Sequence, residues 1–194
     1  MIRARKTGQW AKAQRILRGV MRVRRAIKLA ILQEAHFLRA KMITGITGQA
    51  GFAAHAPATP LIRQGAGFGG GKIMIVSGTT LGSIVVHRQG STVFVGVKRG
   101  RTHASGRDVV DVAAIHEFGK DYRPSKAQLR YIHTMIRKSG GYDAGKVGAG
   151  AVQIRIPRRP FVEPVEKKYG RPMAMVRRLR RRFAVLMRGD LGTA

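Results

Sequence analysis

Apolar side chains recur at intervals of three and four residues over residues 9–43, and no proline interrupts the run. This spacing matches the 3.6-residue period of an α-helix with one apolar face. Such a helix would extend about 50 Å, which is long for a domain of ordinary size. The opposite face is nearly all cationic, with Glu34 as its one acid. The face is either solvated or docked on an anionic partner, and the lack of balancing acids favours docking.

Positive charge extends over the whole chain. There are 38 Lys and Arg residues against 9 Asp and Glu residues, which gives a net charge of +29. A protein with this charge attracts polyanions, so we expect nucleic acid or acidic protein surfaces as neighbours. The apolar runs are too short to span a membrane, and we expect neither a signal peptide nor a membrane partner. The lack of cysteine excludes disulfides and thiolate metal sites.

Stretches rich in β-branched residues predict four strands, at 72–76, 83–88, 92–98 and 151–156. The short loop between the second and third strands is typical of a hairpin. The fourth strand alternates apolar and polar residues, which indicates that one face of the sheet is buried. We therefore predict an α+β fold in which an antiparallel sheet of about four strands is flanked by helices.

Three further helices are predicted around these strands. The stretch DVVDVAAIHEFG (108–119) is typical of a helix that ends at Gly119, although its Val-rich start is also compatible with a strand. Segment 125–138 begins with the S-x-x-Q pattern of a capping box. An Arg-rich helix over about 173–188 follows near the end of the chain.

These elements divide the chain into four consecutive segments. Residues 1–45 are a basic N-terminal helix, and 46–71 are a flexible loop rich in Gly, Pro and Ala. Residues 72–166 are an α+β core with the inserted helix, and 167–194 hold the Arg-rich C-terminal helix. The Gly-rich end of the loop lacks the Gly-Lys-Ser/Thr ending of a phosphate-binding loop, so no nucleotide cofactor is expected.

The adjacent pair His116 and Glu117 is the main candidate for chemistry. It does not form an H-E-x-x-H zinc motif, because Lys120 stands at the position of the second histidine. A metal-dependent nuclease needs several clustered acids, and this chain spreads its 9 acids over 194 residues. We expect no enzymatic activity, catalytic residue, cofactor or metal. A nuclease or peptidase is the least favoured alternative.

Three stretches in this order resemble a known family: IMIVSGTTLGSIVV (73–86), VAAIHEFG (112–119) and IPRRPFVEPV (156–165). The family is that of the phage Mu-type virion morphogenesis proteins and the related phage tail completion and head–tail joining proteins. The similarity spans roughly residues 37–166. One departure is Ser77, which stands where the family usually has Thr or Asp.

The resemblance implies a non-enzymatic structural virion protein at the neck or tail end of a tailed phage, present in the host cytoplasm during assembly. Copies of the chain would form a ring that contacts head connector and tail tube or terminator proteins. Genomic DNA in the channel is a further partner. The resemblance also implies a structural role for a set of signature residues: Ile115, His116, Glu117, Phe118, Gly119, Pro157, Arg159, Pro160 and Phe161.

Several arginines are further candidates for contacts. We expect Arg158 or Arg159 to pair with Glu117 or Asp111. The main alternative to a ring subunit is a soluble, non-specific nucleic-acid-binding protein, although the chain has no base-reading motif and few aromatic residues for stacking. Candidate contacts with an anionic partner or DNA lie on the two basic helices: Arg15, Arg18, Arg22, Arg25, Arg177, Arg178, Arg181 and Arg182.

Overall fold

The computed structural model describes residues 8–49, 51–56, 58–68, 72, 78–102, 106–140 and 153–189. This part of the chain is a mixture of helices and strands, in agreement with the prediction. Its elements in chain order are α1 (Trp10–Gly48), α2 (Ala58–Gly65), α3 (Thr79–Ser83), β1 (Ile84–Gln89), β2 (Thr92–Val97), α4 (Val109–Phe118), β3 (Lys120–Tyr122), α5 (Lys126–Lys138), β4 (Ile154–Ile156), α6 (Glu163–Tyr169) and α7 (Pro172–Gly189).

The predicted long helix is confirmed as α1, which has 39 residues and an axis of about 58 Å. It continues one turn beyond the predicted end and stops where Gln49 adopts a left-handed conformation, with φ of 56°. Only its C-terminal half enters the hydrophobic core, because every residue of 8–25 whose burial is described is at least partly exposed. The N-terminal half therefore extends away from the body of the molecule.

The core forms where the C-terminal half of α1 meets the hairpin and helices α4 and α6. The hairpin of β1 and β2 was predicted from its β-branched residues, and the structure confirms it. Its apolar side chains and those of the helices exclude water from one cluster. The buried members of this cluster are Met42, Ile46, Ile84, Ala113, Phe161 and Val165.

The predicted single sheet of about four strands is wrong for the described residues, which form two separate antiparallel pairs. β1 pairs with β2, and β3 pairs with β4 in the register Lys120–Ile156 to Tyr122–Ile154. β3 was not predicted, because its three residues are mostly polar and show no strand pattern. The predicted strand 72–76 lies outside the described residues except for Lys72.

Helix α2 lies inside the segment 46–71 that was predicted as a loop. It packs against α5, and a Cβ atom on Gly65 would lie 1.9 Å from the carbonyl oxygen of Met135. The helix is short, so it depends on this tertiary contact more than on its own propensity. The Gly- and Ala-rich flanks hid its periodicity.

The remaining helices follow the sequence closely. α4 is helical throughout, so the Val-rich start is not a strand, and it begins at the N-cap Asp108. α5 has the predicted capping box, in which Ser125 and Gln128 bind each other's backbone N–H groups. α7 begins at Pro172 and covers the predicted segment 173–188. The loop that follows α5 lies outside the described residues beyond Gly140.

Candidate interaction surfaces

Glu117 lies near the end of α4 with 7% of its surface exposed, and its carboxylate binds backbone N–H groups at the start of α6. Phe161 and Val162 donate to Oε2 at 2.8 and 3.1 Å, and Glu163 donates to Oε1 at 2.9 Å. The first N–H groups of a helix have no partner within that helix. A carboxylate at this place supplies hydrogen bonds and a favourable charge. Glu117 therefore joins α4 to α6.

The two arginines that follow β4 bind the same region. Arg158 Nε donates to the Glu117 carbonyl at 3.0 Å, and its guanidinium pairs with Glu163. Arg159 is almost fully buried and donates to the carbonyls of residues 53 and 54, and this burial lowers the pKa of its guanidinium. The expected ion pair with an α4 carboxylate is wrong, because neither arginine forms one within the described residues.

Gly119 permits the close approach of these two segments. Its φ of 75° lies in the left-handed region that favours glycine, and a Cβ atom there would lie 3.1 Å from the Ile156 carbonyl oxygen. The N–H of Arg159 donates to the His116 carbonyl oxygen at 2.7 Å. The I-H-E-F-G and P-R-R-P-F segments are thus held together through their main chains.

The other signature residues surround this contact in different environments. Phe161 belongs to the core, whereas the side chains of Ile115, Pro157 and Pro160 are partly buried. Phe118 is 74% exposed, although it is apolar. The contact between the I-H-E-F-G and P-R-R-P-F segments, which we call the lock around Glu117, thus lies beside one exposed aromatic side chain.

This arrangement assigns the His116–Glu117 pair a structural use. The carboxylate accepts three backbone hydrogen bonds, and His116 contributes its carbonyl oxygen to the lock. In the part of the chain that the structure describes, no three His, Asp or Glu side chains are grouped to hold a metal ion.

Glu34 is the anchor between α1 and α7. It is 3% exposed, and Arg178 Nε donates to its Oε1 at 2.7 Å while Arg182 Nε donates to its Oε2 at 3.3 Å. The rings of Phe37 and Tyr169 meet edge to face beside it, and both arginines lie over Phe37. A buried carboxylate with two charge-assisted partners holds the two helices together.

Only part of the predicted set of contact arginines is therefore available to a partner. Arg178 and Arg182 are used inside the molecule by the buried Glu34. Arg177 and Arg181 lie on the outer face of α7 and are exposed. On α1, three of the predicted arginines are exposed and Arg22 is partly exposed; the exposed ones are Arg15, Arg18 and Arg25.

The N-terminal arm, which we define as residues 10–25 of α1, exposes apolar side chains to solvent. Leu17 is 64% exposed and Met21 is 66% exposed. Single exposed apolar residues are ordinary, but a row of them on one protruding helix marks an interaction surface. Members of this row are Trp10, Ile16, Leu17, Val20, Met21 and Val23.

An apolar groove of about 480 Å³ lies at the other end of α1, between α4, α6 and the end of β2. Val110, Ala114 and Phe118 line it from α4, and Glu163 and Glu166 stand at its edge on α6. A hydrogen bond from Lys167 lowers the pKa of the Glu163 carboxyl, with Arg158 contributing in the same direction. The groove thus combines an apolar floor with the carboxylates of Glu163 and Glu166.

No protein-family model, curated protein or solved structure matches this chain. Among the helices of the described residues, none is both long and apolar enough to cross a membrane. The surfaces described above are therefore interpreted from their own chemistry.

Sequence reasoning missed several of these residues. Glu34 was noticed only as an isolated acid on a cationic helix, and its partner Arg178 lies 144 positions away in the sequence. Arg63 is buried on α2 and donates to the carbonyl oxygen of Lys72 at 2.8 Å. No local sequence pattern predicts this contact. The groove depends on residues more than 40 positions apart and left no local signal.

Proposed function

We propose that the chain is a structural virion protein of a tailed phage, a subunit of an oligomeric ring that completes the tail or joins head to tail. Its partners are further copies of itself, head connector proteins and tail tube or terminator proteins. It acts without catalysis, in the virion and, during assembly, in the host cytoplasm.

The N-terminal arm is the observation that carries this proposal. Half of a 39-residue helix leaves the core with its apolar row in solvent and cations on its other faces. Apolar area of this kind is favourable only when another surface covers it, at about 25 cal/mol for each Å² removed from water. A chain built in this way is suited to assembly.

The lock around Glu117 is consistent with the proposed structural role. It joins two of the segments that resemble the virion morphogenesis family, and the Glu117 carboxylate within it binds backbone N–H groups. A rigid core of this kind can transmit the orientation of α4 and α6 to neighbouring subunits.

The outer face of α7 is the surface that we assign to an anionic partner. Arg177 and Arg181 are exposed there, and the equivalent face of the N-terminal arm is also cationic. These faces fit an acidic connector surface or the DNA in the channel. They also favour the second candidate, a soluble non-specific nucleic-acid-binding protein, whose affinity would fall steeply with salt.

A stop codon placed early in this gene, in the genome that encodes it, tests the proposal. We expect lysates that hold full heads and unattached tails by electron microscopy, with few infectious particles. Substitution of Arg177 and Arg181 by Gln is expected to give the same defect with normal folding, because both side chains are exposed. Normal infectious particles from the stop-codon mutant, or a lysate without phage particles, would refute the proposal.

A further inference from the structure

We propose that the apolar groove beside α4 binds the N-terminal arm of a second copy of this chain. The inference rests on the proposed function, since it names the surfaces through which the subunits of the ring would meet.

Acidic residues are concentrated on α4 and α6, the two helices that line the groove. Residues 108–118 contain three acids and neither Lys nor Arg, in a chain where Lys and Arg number 38 of 194. α6 adds two more acids at its start. Together α4, its N-cap and α6 hold five of the 9 acids of the chain: Asp108, Asp111, Glu117, Glu163 and Glu166.

Two of these carboxylates are available to a partner. Arg158 and Lys167 already pair with Glu163. Glu166 is exposed at the edge of the groove, and Asp111 is exposed on α4. Asp111 lies seven residues, or about two turns, before Phe118, so both project from the same side of the helix. Glu166 therefore lines the groove itself, and Asp111 lies outside the lining on the Phe118 side of α4.

The N-terminal arm has the complementary pattern. Its residues 10–25 include six Lys or Arg and no acid, and its apolar row lies between them. An apolar row flanked by cations matches an apolar groove flanked by carboxylates. An amphipathic helix that places its apolar face in a groove is a common mode of recognition.

The arm cannot reach the groove of its own chain. Met42, near the far end of α1, packs in the same core cluster as Ala113 of α4, beside the groove. Leu17 lies 25 residues before Met42 on one unbroken helix, a distance of about 38 Å along the axis. The contact must therefore join two copies.

A contact between two different surfaces of identical chains is head-to-tail. Such an interface either closes into a ring or continues as a filament, depending on the rotation between neighbours. A symmetric pairing of two arms would instead stop at a dimer. The proposed contact is thus the kind that a ring requires.

A pair of complementing variants of the full chain tests the inference. Leu17→Glu places a carboxylate on the arm, and Phe118→Lys places a cation in the groove; the native side chains are 64% and 74% exposed, so both variants should fold. Matched controls are Ala11→Glu on the cationic face of the arm and Phe94→Lys on the hairpin, where Phe94 is 52% exposed. Far-UV circular dichroism and urea unfolding verify folding.

Sedimentation velocity of nuclease-treated protein gives the readout. We expect each variant alone to weaken self-association at least about tenfold relative to the wild type, and the controls to change it less than about threefold. An equimolar mixture of Leu17→Glu and Phe118→Lys retains one intact arm and one intact groove. It should therefore form a discrete 1:1 dimer of twice the 21.3 kDa monomer mass.

Each other result overturns the inference. A mixture that stays monomeric shows that arm and groove do not meet. Loss of assembly in Leu17→Glu but not in Phe118→Lys indicates arm-to-arm pairing or a different groove. A wild-type chain that is monomeric at about 100 µM has no self-contact of useful strength. Detached heads and tails from the stop-codon mutant, together with a monomeric chain, would leave the proposed function standing without this contact.

Discussion

Replacement of Glu117 by Ala removes the acceptor for three backbone N–H groups at the start of α6. These donors belong to residues 161–163, and Phe161 itself is 3% exposed within the core. In the variant, water has little access to these N–H groups, and at least one of them stays without a hydrogen-bond acceptor. The variant should therefore fold less stably and hold α6 more loosely.

The magnitude follows from the hydrogen bonds. A bond to a charged group contributes about 1.5–3 kcal/mol, and an unpaired buried donor costs about 1–3 kcal/mol. Since the contributions of neighbouring bonds are not additive and the shortened side chain admits some water, we expect a loss of about 3–5 kcal/mol in the free energy of unfolding. Glu117→Gln keeps one acceptor oxygen and should lose roughly half of that amount.

Urea unfolding followed by far-UV circular dichroism measures the loss as a change in midpoint at constant slope. The control is Asp121→Asn, since Asp121 is exposed and its pair with Arg155 has an N–O distance of 3.9 Å. We expect the control to change stability by less than about 0.5 kcal/mol. A Glu117→Ala variant whose free energy of unfolding is within about 1 kcal/mol of the wild type would show that these hydrogen bonds do not stabilise α6, because three intact bonds to a buried carboxylate cannot be that weak.

Three further predictions concern other parts of the fold. Arg178→Gln should lower the free energy of unfolding by about 2–3 kcal/mol, because it leaves a buried carboxylate with one partner, whereas Arg177→Gln on the outer face should change it by less than about 0.5 kcal/mol; equal effects in urea unfolding would contradict this. Gly65→Ala should separate α2 from α5 and lower the thermal midpoint of unfolding. Gly45→Ala should raise the midpoint, because its Cβ atom meets nothing within 4 Å and Ala favours a helix. Calorimetry that ranks the two midpoints the other way would contradict this packing. Backbone hydrogen bonds from residues 110 and 100 lower the pKa of the Asp108 carboxyl. The stability that Asp108 adds relative to Asp108→Ala should therefore be complete above about pH 5 and disappear as the pH falls through the lowered pKa. A difference in urea midpoint between the two proteins that persists at the lowest pH would contradict this.

Features with a local cause were predictable from the sequence. The long run of apolar spacing predicted α1, and the S-x-x-Q pattern predicted the start of α5. The hairpin and α7 followed for the same reason, because each pattern lies within about 20 neighbouring residues. The position of Gly119 after α4 was equally local, since its φ of 75° suits few other residues.

Features that depend on distant residues were not predictable. β3 is a strand only because β4 pairs with it, and a three-residue polar segment has no strand pattern of its own. The number of sheets could not be derived, because β-branched stretches indicate strands but not their neighbours. Glu34 and Arg178 are 144 positions apart, so their pair required the structure.

The candidate surfaces were only half visible in the sequence. Spacing identified the apolar row of the N-terminal arm, and charge identified the cationic helices. The sequence could not show that Arg178 and Arg182 point toward a buried carboxylate while Arg177 and Arg181 do not. It also could not reveal the groove, which three separate elements form.

We propose that this chain assembles through its own protein surfaces and not through bound nucleic acid. Light scattering on the purified full chain after chromatography, in about 0.5 M salt and with and without nuclease, tests it most directly, because such salt screens contacts with nucleic acid. We expect one discrete oligomer whose mass is a whole multiple of 21.3 kDa and does not change with nuclease. A heterogeneous mass that falls to the monomer after nuclease treatment would contradict it.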